Sequence, residues 1–370
     1  MRKILFLYLI PTLLLAAVSC QRDDDEPPAR PEKPISRLYV STSDYQAGAS
    51  SNLENLWVID PADDDSFGDA NNIKGIVSGA KGGKTIHYSP LNQGMVFQSS
   101  INSFGTNDTS VQVLSINLQG LPTYRAKLSN RRLDNVRGMN YVVVNNNEGT
   151  LNQDFLLALQ KSDTVATPYL FAFYRPVNSG FLAKPRFQMP LDFIPWGLKI
   201  QDKDMYIVRT GDADNMGAVV AYKDFTQKLI ERVDSTLTNI KPSYTLSIAG
   251  AHNLRGIAYS KEKDIMVITD YNVSGNTVSN GRILIFDNFS ANNTDKSISP
   301  SRVITGAATK LVQPMDVAMD ERPDGKYIYV ADSGAKRVFR YMIEDSGNVA
   351  PNGELNLKNR TPESISLDSR

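Results

Sequence analysis

The chain has 370 residues with 40 basic and 40 acidic side chains, two histidines and one cysteine. A balanced charge leaves no basic footprint of the kind that nucleic acid requires. One thiol cannot form an internal disulfide, and Gly, Pro, Asn, Asp and Ser clusters recur with no sustained helical period, which favours an all-β chain.

Arg2 and Lys3 precede a mostly apolar run from Ile4 to Val18. Fifteen helical residues reach about 22 Å, short of the roughly 30 Å hydrocarbon core, so the run reads as a signal peptide over residues 1–19. It ends in Ala17-Val18-Ser19-Cys20, which resembles a lipobox, and the resemblance implies a lipid on Cys20. Residues 20–36 carry Asp23-Asp24-Asp25-Glu26 and then Pro27, Pro28, Pro31 and Pro34, the composition of a semi-rigid tether. Acids just after a lipidated cysteine resemble the surface-export signal of Bacteroidota lipoproteins. That resemblance implies anchorage in the outer membrane, facing the medium.

Residues 37–370 repeat one unit. Its clearest copy is Pro314-Met-Asp-Val-Ala-Met-Asp320, Tyr327-Ile-Tyr-Val-Ala-Asp-Ser-Gly334 and Arg337-Val-Phe-Arg-Tyr341, three period-2 strands separated by turn residues. The second strand of the unit recurs from Arg37, Gly94, Asp154, Asp204, Asp264 and Lys326, at intervals of 50 to 62 residues. A fourth strand follows Pro122, Pro185, Pro242 and Pro300, where an outer edge tolerates proline. Six units of four strands predict a six-bladed β-propeller. The first unit lacks its innermost strand, and Pro362–Asp368 matches Pro314–Asp320. The carboxyl-terminal strand is therefore expected to complete the first blade and close the ring. The pattern resembles the six-bladed TolB-like propellers, and Tyr329–Gly334 resembles an NHL-type repeat.

In such a blade the innermost strand starts and the second strand ends at one face. This predicts two rings of residues there: Lys84, Arg137, Trp196, Arg255, Met315 and Glu363, then Ser43, Ser100, Gln160, Thr210, Asp270 and Asp332. Long loops from Asp44 to Asn55, Ile101 to Asp108 and Tyr271 to Gly281 open on the same face. Lys84, Arg137, Trp196, Arg255, Asp270 and Asp332 are the candidate ligand contacts, because guanidinium forks suit carboxylates and indole offers a flat apolar surface. The structural alternative is a latch pairing Arg255 with Asp270 inside one blade.

No catalytic set is assembled. His87 and His252 lie in separate blades, no nucleophile elbow or phosphate loop occurs, and the only cysteine is assigned to lipid. Asp212–Gly217 starts like a calcium loop, but Met216 sits at a ligand position. Asp163-Thr164-Val165 matches a short Bacteroidota O-glycosylation pattern. The leading expectation is a non-catalytic surface module without a cofactor, binding a protein or a glycan through the channel face. The second expectation follows a resemblance to gluconolactonase-like propellers, which implies a metal-dependent hydrolase with calcium or another divalent ion on Asp270, Asp332 and Glu363.

Overall fold

The computed structural model describes residues 34–46, 53–102, 107–145, 152–162, 165–211, 215–231, 236–238 and 240–370. The signal peptide, Cys20, nearly all of the tether, Asp163-Thr164 and the core of the Asp212–Gly217 segment lie outside them. Residues 35–370 form one compact unit. No helix among the described residues is long and apolar enough to cross a membrane.

The unit is a six-bladed propeller of antiparallel sheets. Blades 2 to 6 run in chain order from innermost strands Gly83–Ser89, Val136–Asn145, Pro195–Gln201, Ile257–Ser260 and Pro314–Met319. Blade 1 takes its innermost strand from the carboxyl terminus. Pro362–Asp368 pairs with Arg37–Thr42, which continues to Leu56–Ile59 and Ile73–Ile76. Expected and observed second strands agree to within two residues, as at Arg37, Met95, Asn152, Asp204, Ile265 and Tyr327. Period-2 patterning explains this: each strand buries both faces between neighbouring blades, so its bounds are set by turn residues.

Six apolar clusters fill the six interfaces between blades. Leu38, Trp57, Tyr329 and Leu355 join blade 6 to blade 1, for example, and Phe97, Tyr141, Leu156 and Phe171 join blade 2 to blade 3. Blade 4 departs from the four-strand pattern. Lys296–Ile298, from the outer connection of blade 5, adds parallel to Tyr244–Ile248 and covers an edge that would otherwise be open. Among the described residues one α-helix, α1 (Phe225–Glu231), buries Phe225 and Leu229 against the core of blades 3 and 4. The expected long loop from Tyr271 to Gly281 is instead a hairpin. Strands Ile265–Ser274 and Thr277–Asp287 continue to a tight turn around Gly275.

Candidate functional site

The innermost strands surround a central cavity of about 840 Å³. At its mouth the strands share a defect. The pairing skips Arg137 in blade 3, Gly197 in blade 4, Met315 in blade 6 and Glu363 in blade 1, and it breaks between Gly83 and Ile86 in blade 2. A bulge re-aims its extra residue. Arg137, Met315 and Glu363 are thus released from the ladder where the channel opens, with Lys84 in the broken stretch of blade 2. Amides near the defect find side-chain acceptors: Thr85 N–H donates to Ser99 Oγ at 3.0 Å, and Gly256 N–H to Thr269 Oγ1 at 2.9 Å.

Four of the six candidate residues come together around one ring. The guanidinium carbons of Arg255 and Arg137, from the blades on either side of blade 4, lie 4.1 Å and 4.4 Å from the Trp196 ring centroid. Lys84 Nζ lies 5.8 Å from it. All three fall within cation–π range. Lys84, Arg137, Trp196, Met315 and Glu363 line the cavity, whereas Arg255 sits behind the indole and is 9% exposed.

The partners of Arg255 differ from the expected latch. Its Nε and Nη2 donate to Tyr271 Oη at 3.2 Å and 2.8 Å. Its Nη1 donates to Thr210 Oγ1 at 2.6 Å and to the Leu254 carbonyl at 3.1 Å. Among the described residues no carboxylate oxygen lies within ion-pair distance of this guanidinium. Burial pulls its pKa down, while Tyr271 and the more distant Asp270 oppose that fall.

Asp270 pairs with Arg282, its direct cross-strand neighbour, at 2.5 Å, and accepts the Asn253 amide at 2.7 Å. Asp332 accepts the amides of Val312, Gln313 and Ala335 at 2.8 to 2.9 Å. Both carboxylates are fully buried and neither is among the residues that line the channel. They are latches, but to backbone amides of the loop that enters the innermost strand. The device recurs: Asp108 accepts Lys81 N–H, Gln160 Oε1 accepts Asn135 N–H, and Asp44 accepts Thr361 N–H. A side-chain acceptor ties down the incoming loop in five blades, and in three of them it is the second-ring residue itself (Gln160, Asp270 and Asp332), the recurring polar residue at the end of the second strand.

Glu363 faces Lys84. Burial raises its carboxyl above the usual range, with Lys84 and a Ser43 hydrogen bond opposing the rise. Among the described residues no three His, Cys, Asp or Glu side chains stand close enough to share a metal ion. Asp270, Asp332 and Glu363 are engaged with Arg282, loop amides and Lys84 respectively.

Deeper in the channel lies a cluster that the sequence did not reveal as one. Ser364 Oγ donates to Asp316 Oδ2 at 2.5 Å, and Ile365 N–H donates to the same oxygen at 3.1 Å. Burial pushes Asp316 up to about 6 despite these donors. His87 also lines the channel. Burial, helped by the positive charge of Lys199, pushes it down to about 3, so the imidazole is neutral at physiological pH. Lys199 itself pairs with Glu321 at 2.5 Å.

No protein-family model matches the sequence, and no curated protein matches it. Among solved structures the chain is similar to a candidate 6-phosphogluconolactonase from Bacteroides uniformis, at 12% identity. The overlay covers 90% of this chain and 99% of that one, with a TM-score of 0.42. It is also similar to the Dos1 propeller, at 11% identity over 88% of this chain and 74% of that one, with a TM-score of 0.36. Likeness at this level concerns shape and assigns no activity.

Proposed function

We propose that this chain is a non-catalytic binding module that takes a carboxylate-bearing ligand at the channel mouth, and that Cys20 anchors it by lipid to the outer membrane, facing the medium. The observation that carries the first part is the convergence of Lys84, Arg137 and Arg255 on Trp196. A buried guanidinium whose hydrogen-bond partners are all neutral leaves positive potential at the mouth. Glu363 faces Lys84 across the mouth. Low-dielectric walls focus that potential on a ligand entering the channel. Lys84 and Arg137 contact the ligand from the channel wall, and Arg255 contributes charge from behind the indole.

Trp196 is a built-in reporter, because the only other tryptophan, Trp57, is 2% exposed in the interface between blades 6 and 1. Titrating the purified chain with galacturonate, citrate and N-acetylglutamate is expected to quench Trp196 saturably, less so at high salt, and not in a Lys84→Ala/Arg137→Ala variant. Equal quenching by neutral sugars, or none by any carboxylate, overturns the reading. The anchor is tested separately: labelled palmitate should enter the wild-type chain and not Cys20→Ala, and protease added to intact cells should remove the propeller.

A further inference from the structure

We infer that the carboxylate recognised at the mouth belongs to an acidic side chain of a polypeptide, so that the channel face is a protein-docking surface; this rests on the anion-binding reading above. The mouth is framed by apolar side chains on the connections that open on its face. Tyr45, Val77, Ile194, Met216, Val273 and Val312 are each between 37% and 48% exposed. Val77, Ile194 and Val312 lie on loops that enter innermost strands, only a few residues before Lys84, Trp196 and Met315. Tyr45 and Met216 lie between second and third strands of blades 1 and 4, and Val273 lies near the tip of the second strand of blade 5. On the opposite face, Leu118, Phe181 and Leu182 are exposed on peripheral connections between third and fourth strands, and Leu91 is the one exposed large apolar side chain beside the channel among the described residues.

An apolar rim around a charged centre is the anatomy of a surface that loses water against another protein's side chains. A polysaccharide would ask for something else. Sugar rings are held by open aromatic faces and planar polar groups, whereas this rim is largely aliphatic and the π-system of Trp196 is already taken by two guanidinium groups. Charge complementarity names the centre of the partner. That centre is the group of three cations from three blades gathered on Trp196. The fitting segment therefore carries Asp or Glu flanked by apolar residues, the acid entering the mouth and its neighbours covering the rim.

The test is selection of a phage-displayed random dodecapeptide library on the purified chain, counter-selected on an Ile194→Ser/Met216→Gln/Val312→Ser variant, whose neutral replacements leave the field unchanged. The expected yield is peptides with an acid between apolar residues. Synthesised, they bind the wild-type chain at least tenfold more tightly than the rim variant, and tenfold more tightly than analogues with glutamine or asparagine in place of the acid. Galacturonate quenches Trp196 equally in both proteins. Absence of enrichment, equal peptide binding to both proteins, or an oligogalacturonate that outcompetes every selected peptide overturns the inference while the anion site stands. Failure of all carboxylates to quench Trp196 removes the anion site as well.

Discussion

The two halves of the ring are joined by different means. From blade 6 through blades 1 and 2 to blade 3, the innermost strands are clasped by side-chain hydrogen bonds. Asp316 of blade 6 receives Ser364 Oγ–H and Ile365 N–H of blade 1; Ser364 and Ser366 receive Ile86 N–H and Tyr88 N–H of blade 2; Thr85 Oγ1–H reaches the Val136 carbonyl of blade 3. From blade 3 through blades 4 and 5 back to blade 6, the equivalent positions are Gly138, Gly197 and Gly256. Backbone there meets backbone: a Cβ on Gly256 would stand 2.5 Å from Asp316 Cα, and one on Gly197 would stand 2.6 Å from the Arg255 carbonyl oxygen. The hydrogen-bonded half contains the seam where the terminal strand closes the ring, and serines fill the polar edge that a non-consecutive strand leaves open.

The largest expected effect tests the seam itself. Deleting residues from Pro362 onward removes the innermost strand of blade 1 and the acceptors for Ile86 and Tyr88, and should abolish cooperative thermal unfolding; a native-like melt would show that closure is dispensable. In the glycine half, Gly256→Ala forces blades 5 and 6 apart at backbone atoms, and a loss of about 3 kcal/mol is expected in urea unfolding. In the hydrogen-bonded half, Thr85→Val strands one buried carbonyl and should cost about 1 kcal/mol. A reversal of that order would mean that the hydrogen bonds, and not the close approach, set the stability of the ring.

The pH dependence sharpens the same contrast, because the clasp at the seam includes an acid. An unfolded aspartyl residue loses its proton near pH 4, whereas folded Asp316 keeps it to about 6. The folded state therefore binds more protons between these values. The stability from this group is complete below pH 4 and is lost as pH rises toward and through 6. Asp316→Asn should flatten that part of the urea-midpoint profile, whereas Gly197→Ala, whose added Cβ meets the Arg255 carbonyl and Ile257 rather than Asp316, should shift the whole profile without changing its slope. The smallest expected effect concerns the channel. EDTA should leave the melting temperature unchanged and elemental analysis should find no stoichiometric divalent ion, since Asp270 and Asp332 already serve Arg282 and loop amides.

Much of the molecule was legible before folding was considered. Alternating strands, turn residues and the displaced carboxyl-terminal copy placed every second strand within two residues and predicted the closure that is observed. Lys84, Arg137, Trp196 and Arg255 were legible as members of one ring because propeller symmetry makes equivalent positions share a face. Their partners were not. Nothing in the repeat indicates that Arg255 reaches Tyr271 and Thr210 while Asp270 turns to Arg282, although the direct cross-strand register of Asp270 and Arg282 is a signal available once the hairpin is recognised.

The sequence by itself determined the number of blades, their order and the strand that closes them, because these follow from local periodicity and turn chemistry repeated along the chain. Only the tertiary structure decided that three cations from three blades meet on the indole of a fourth, that two of the suspected ligand contacts are buried in loop anchoring, and that one half of the ring is stitched and the other pressed together. Those outcomes depend on bulges that re-aim side chains and on how closely neighbouring backbones approach around the axis, which are distances between residues far apart in sequence and so are written in no single repeat.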